Sequence, residues 1–256
     1  MTVKEIVKNG MKALFQDFDK KAIQNFFHES YIQHNPHVPT GLEPILGLVT
    51  SLKEANFTYT THRMIADGDL VLTHNSGTNA MAFGAEKIVT FDLWRVEENK
   101  IAEHWDAIIP HYSETANGRT QTDGPTELDY LEKTEGNKAL ISQFMKDILM
   151  GERPSKITDY INATQYHQHN PQIKDGLNGL VETIQELTAQ NNMFQYSKVH
   201  RVIGEGNFVV AQSEGAWGGK PQVFYDLFRI EEGKLVEHWD VIQEIPAQMA
   251  HGNTML

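Results

Sequence analysis

Apolar residues recur at Val3, Ile6, Val7, Met11, Leu14, Phe15 and Phe18, the three-and-four spacing that lays one stripe along a helix. Gly10 weakens that helix only slightly. Asp19 is placed to cap a second helix with Ile23, Phe26 and Phe27 on its buried face. Pro36 and Pro39 then force a loop, and Gly41 opens a third helical stretch through Leu42, Ile45, Leu46, Val49 and Leu52. From Phe57 the period changes. Residues 57–65 are rich in aromatic and β-branched side chains, Asp67-Gly68-Asp69 is a hairpin signal, and Leu70–His74 returns. Ile88–Val96 and Ile101–Ile109 form a second hairpin over Glu97-Glu98-Asn99-Lys100. Three helices followed by about four antiparallel strands predict an α+β domain with its helices on one side of a sheet.

The pattern then repeats. Tyr31-Ile32-Gln33-His34-Asn35-Pro36 returns as Tyr166-His167-Gln168-His169-Asn170-Pro171, and Glu103-His104-Trp105-Asp106 returns as Glu237-His238-Trp239-Asp240. His62-Arg63 matches His200-Arg201, and Asp92-Leu93-x-Arg95 matches Asp226-Leu227-x-Arg229. The second copy predicts helices over 140–149, 157–161 and 177–187, then strands over 193–203, 208–213, 222–230 and 235–242. The period is too long for a solenoid unit, so a whole domain is duplicated. A polar stretch from Ser113 to Gly136, with Gly118, Gly124 and Pro125, reads as the linker and places the domains at 1–124 and 125–256. The copies differ in one loop. The long segment Gly77–Lys87, with Met81 and Phe83, shrinks to Gly215–Lys220, which predicts two pockets of different shape.

Composition narrows the classes. A formal net charge of −12 with no basic stripe argues against nucleic acid and anionic membranes. There is no cysteine, so disulfides, thiolate catalysis and cysteine-ligated zinc are excluded. The N-terminus carries no signal-peptide pattern and no apolar run approaches the length of a membrane span, so a cytoplasmic protein is the expectation. Phosphate-binding glycine loops and the Gly-x-Ser-x-Gly elbow are both missing.

On a strand His104 and Asp106 share one face while Glu103 and Trp105 share the other, and the same holds for His238 and Asp240. A histidine and a carboxylate on one face suit proton transfer, or metal ligation with His34 as a third ligand. Tyr31, Tyr59, Tyr166 and Tyr196 are candidate cavity hydroxyls. His62 and His200 point away from Arg63 and Arg201, so one of each pair faces the cavity. A structural alternative ties Asp106 to Arg63 or Arg95, and Trp105 and Trp239 read as packing residues.

These motifs resemble SnoaL-like polyketide cyclases, in the nuclear transport factor 2-like superfamily that includes ketosteroid isomerase. The resemblance implies tandem cone-shaped domains, each with three helices on a curved, mainly antiparallel sheet around a deep pocket. It implies cofactor-free, aldol-type proton abstraction beside a carbonyl of a small organic molecule. Asp106 and Asp240 would be the acid/base residues, with His104, His238, His34 and His169 at the same cavities; Tyr31, Arg63, Tyr166 and Arg201 would bind substrate. Members pair as homodimers, so the two copies would form an intrachain pseudo-dimer or pair again as a homodimer. A non-catalytic small-molecule-binding module of the same fold, or a protein-interaction domain using the open sheet face, is the alternative.

Overall fold

The computed structural model describes residues 1–256. They pack as two units, Met1–His111 with Ile245–Leu256, and Tyr112–Glu244.

In the first unit helix α1 (Val3–Phe15) begins at a capping box, in which Thr2 Oγ1 accepts from the Glu5 amide at 3.2 Å and Glu5 Oε2 accepts from the Thr2 amide at 2.7 Å. Asp19 caps α2 (Lys20–Phe26) by accepting from the Lys21 and Ala22 amides. Helix α3 (Leu42–Glu54) buries Leu42, Ile45, Leu46, Val49 and Leu52, the stripe its spacing predicts. The sheet has five strands rather than four. Strand β1 (Phe27–Gln33) grows directly out of α2 and runs parallel to β5 (Lys100–Pro110). The order is β1-β5-β4-β3-β2, with β2 Thr58–Asp67, β3 Leu70–Thr78 and β4 Lys87–Glu97. Sequence pattern alone misses β1 because its apolar positions continue the α2 stripe; only pairing with β5 makes it a strand.

The second unit repeats this plan. Its helices are α4 (Thr134–Phe144), α5 (Ile157–Tyr160) and α6 (Gly176–Ala189). Its sheet runs β6-β10-β9-β8-β7, with β6 (His167–Gln168) again parallel to the last strand. The others are β7 Gln195–Glu205, β8 Phe208–Trp217, β9 Lys220–Glu231 and β10 Lys234–Glu244. Bulges at Tyr196–Lys198, Val199–Arg201 and Leu235–Glu237 bend the strands. Each unit is thus a cone-shaped α+β domain with a curved sheet around its helices. One departure from the predicted elements stands out: helix α4 widens into a π turn over Met145–Leu149, whereas the short second helix forms as expected, Ile157–Tyr160, after a 3-10 turn at Pro154–Lys156.

Candidate functional site

The alternation on the last strand holds. In the first unit Asp92 on β4 lies opposite Asp106 on β5, and Trp94 opposite His104. That register gathers Asp92, His104 and Asp106 on the face toward the helices, all buried. Asp226, His238 and Asp240 make the same set in the second unit, with Asp226 opposite Asp240.

Hydrogen bonds fix where the protons lie. Gln168 Oε1 accepts from the His169 and Asn170 amides at 2.9 Å each, which commits that oxygen as an acceptor. His238 Nδ1, 3.0 Å from it, is therefore an N–H donor. Nε2 lies 3.1 Å from Asp226 Oδ1, so one proton must sit between imidazole and carboxylate. Burial alone would lower the His238 pKa; the bond to Asp226 and the charge of Asp240 outweigh it and raise it. Tyr196 also donates to Asp226, at 3.1 and 3.2 Å to its two oxygens. The first unit is built alike. Gln33 Oε1 takes the His34 and Asn35 amides and lies 3.0 Å from His104 Nδ1, and His104 Nε2 lies 2.9 Å from Asp92. Asp92 is further bonded by Tyr59, Thr90 and Asn75.

The second carboxylate differs in kind. Asp240 receives only Asn170 Nδ2, at 3.0 and 2.8 Å. Burial pushes its pKa up to about 6, and the neighbouring Asp226 adds to this, against the lowering effect of His238 and Asn170. Asp106 receives Asn35 Nδ2 at 2.7 Å through Oδ2, while Oδ1 has no partner. It too is raised to about 6, chiefly by burial. A carboxyl titrating there is a usable base near neutrality.

His34 and His169 lie elsewhere. His34 Nε2 faces Glu103 at 2.9 Å, its ring stacks on Trp105, and Nδ1 donates to the Thr254 carbonyl. His169 faces Glu237 at 2.9 Å, stacks on Trp239 and meets the Thr120 carbonyl at 2.7 Å. Both thus sit on the Glu/Trp face of the sheet, away from the Asp/His face. Arg63 bonds His74 at 3.1 Å, and Arg201 bonds Gln212; neither pairs with Asp106 or Asp240. Arg95 and Arg229 go to Glu103 and Glu237. Tyr31 and Tyr166 do line the pockets.

The residues that sequence reasoning passed over are Asp92, Asp226, Gln33, Gln168, Asn35 and Asn170. The available signal was their recurrence in both copies, and for the aspartates a two-residue parity with Trp94 and Phe228, which stack on His104 and His238.

Two cavities meet these sets. The first unit's encloses about 40 Å³ and the second's about 690 Å³.

Residues 10–104 match the SnoaL-like domain family. The matched residues lie in the first domain, and the second unit repeats its five-stranded plan. Solved structures similar to it include TsrD from Streptomyces laurentii, at 18% identity and a TM-score of 0.35 over 41% of this chain and 87% of that one. IdmH from Streptomyces antibioticus, classed with the polyketide cyclases, shares 19% identity at a TM-score of 0.36 over 42% and 92%. A Kribbella flavida protein classed with the ketosteroid isomerases shares 15% at a TM-score of 0.38 over 44% and 82%. No curated protein matches the chain significantly. Each of the three covers less than half of this chain.

Proposed function

We propose that this tandem SnoaL-like protein is a cyclase- or isomerase-type enzyme that removes a proton next to a carbonyl, with no cofactor. Asp240 is the base in the second domain and Asp106 its counterpart in the first. The C–H electron pair moves into the new C=C bond as the carbonyl oxygen takes up the negative charge. Tyr166 lines the same cavity, and burial holds its pKa far above the usual phenol range, so it stays protonated and can donate to that oxygen. The enolate then attacks a second carbonyl, as in an aldol closure, or takes its proton back at another carbon. His238, holding a proton with Asp226, favours the ionised form of Asp240, which Asn170 orients. Gln168 and Asn170 position the pair; His169, with Glu237 and Trp239, braces the loop from the far side of the sheet.

One observation carries this reading: a buried carboxyl with a pKa of about 6, free of any arginine, opens into a cavity of about 690 Å³. A structural or purely binding carboxylate would be expected with a cation beside it and a depressed pKa. The test is deuterium exchange. A neutral ketone that binds should exchange its α-protons in D2O faster with the protein than without it, and Asp240→Asn should lower that catalysis by about 10²–10⁴-fold. A ketone that binds but shows no catalysed exchange would return the site to the ligand-binding reading.

A further inference from the structure

The two sites share their polar floor but not their walls. In the first domain Phe15 of α1 stacks on Tyr59 with centroids 4.4 Å apart, and Phe57 packs on Phe15 at 5.9 Å and on Phe83 at 5.6 Å. Phe83 comes from the 3-10 turn Met81–Phe83, inserted between β3 and β4. Helix α3 lines the opposite wall with Ile45 and Leu48 and buries Leu42, Leu46, Val49 and Leu52 in the core. What is left, about 40 Å³, holds a few waters at most.

The second domain keeps one of these aromatics, Phe194 at the position of Phe57, but it packs on Trp217 and Phe224 of its own sheet at 4.9 and 6.3 Å, and no inserted turn brings a counterpart of Phe83. Strands β8 and β9 join through Gly218-Gly219 alone, both at positive φ. Tyr196 packs on Phe224 of its own sheet, centroids 4.3 Å apart, instead of on a helix. Helix α6 buries only Gly179 and Thr183; its apolar stripe, with Leu180, Val181, Ile184 and Leu187, faces the cavity. The α4 π turn contributes Ile148 and Leu149 to the same wall. A stripe of aliphatic residues facing unfilled space is stable only if something apolar covers it.

Charge sets the head group. The lining contains Asp226, Asp240 and His238 but no lysine or arginine. With one proton held between Asp226 and His238, an ionised Asp240 leaves the floor negative, so a carboxylate or phosphate head would be desolvated against like charge.

We infer that only the second domain takes the ligand, that this ligand is an uncharged carbonyl or hydroxyl compound with a large apolar body, and that the first domain is closed by its aromatic plug. The inference deepens the function proposed for the Asp240 site, but it concerns occupancy and needs no turnover.

The experiment uses the full chain and the neutral tricyclic fluorophore 1-aminoanthracene at pH 8. One molecule should bind per chain, and isoleucine methyl NMR should shift Ile148, Ile157, Ile184 and Ile242 while leaving Ile45, Ile88 and Ile108 in place. 2-Undecanone should displace the fluorophore, and undecanoate should need about a hundredfold higher concentration, the discrimination expected for burying an unpaired charge. Phe15→Leu with Phe83→Ala should create a second binding site. Two molecules per chain in the wild type, shifts at the first-domain isoleucines, or undecanoate displacing as well as the ketone would overturn the proposal. Because the stoichiometry and methyl shifts are read on wild-type protein, poor folding of the double variant leaves the test intact. Binding as expected without ketone exchange would keep this inference and sink the enzymatic reading.

Discussion

Two aspartates facing each other across one strand pair, Asp226 and Asp240, are given opposite tasks by their neighbours. Asp226 is surrounded by donors, from Tyr196 and His238, and serves as an anchor. Asp240 has one amide donor and is held up at about 6, against an ordinary 3.8. Its folded-state pKa lies above the unfolded one, so the native state binds the proton more tightly. Stability is therefore lost as pH rises from about 4 to about 6, by roughly 3 kcal/mol for such a shift. The raised His238 pKa acts in the same sense, because its contribution is also lost as pH rises through it. Asp240→Asn is accordingly expected to be more stable than wild type at pH 8, by about 1–3 kcal/mol, and no more stable at pH 4. Urea melts at the two pH values check this. Exchange activity should rise with pH on an apparent pKa of about 6, the value at which Asp240 ionises, and a flat profile would remove Asp240 from the role of base.

The elements matter through one short turn. Gln168, at the end of the parallel strand, and Asn170, just past it, are placed so that a side-chain carbonyl fixes the His238 tautomer and a side-chain amide meets Asp240. The Asn170 bond lowers the Asp240 pKa, so Asn170→Ala should move the exchange profile to higher pH; a merely structural asparagine would change the amplitude and leave the midpoint alone. The strand bulge beside Tyr196 has its own requirement. A Cβ on Gly215 would stand 1.8 Å from the Gln195 carbonyl oxygen, inside the β7–β8 pairing. Gly215→Ala should cost about 1–3 kcal/mol in urea unfolding, as overpacking against backbone does. The repeated Tyr-x-Gln-His-Asn-Pro stretch was visible in the sequence as a site-forming segment. Its histidine was the conspicuous residue, yet the chain turns after Gln33 and Gln168 and sends that histidine to the far face.

Across the whole chain, the segment after each last strand belongs to the other packing unit, as the composition of the two units states. Within the first unit, His251 Nε2 donates to the Asn35 carbonyl at 2.8 Å, the Ala250 amide to Pro36 at 2.8 Å, and Asn253 Nδ2 to Gln33 at 3.0 Å. Within the second, Asn117 Nδ2 donates to the Asn170 carbonyl at 2.6 Å and the Ala116 amide to Pro171 at 2.8 Å. Removing residues 245–256 should therefore speed amide exchange in the 33–40 loop and leave the loop at 168–173 protected. Equal loss at both loops, read by hydrogen–deuterium exchange, would show that the tail acts on the chain as a whole. No helix is long and apolar enough to cross a membrane.

The sequence by itself determined the duplication, the α+β class, the helix stripes, and the face shared by His104 with Asp106 and His238 with Asp240, because periodicity and strand parity are local properties of the chain. Tertiary structure alone decided the rest. Parallel pairing made strands of β1 and β6, and cross-strand register brought Asp92 and Asp226 to the histidines. Packing of Phe15, Phe57 and Phe83 closed one pocket, while the α6 stripe was left facing the other. Those outcomes depend on which residues meet at long range, and two copies with nearly the same motifs reach different cavities because cavity volume is set by the walls, which the motifs do not encode.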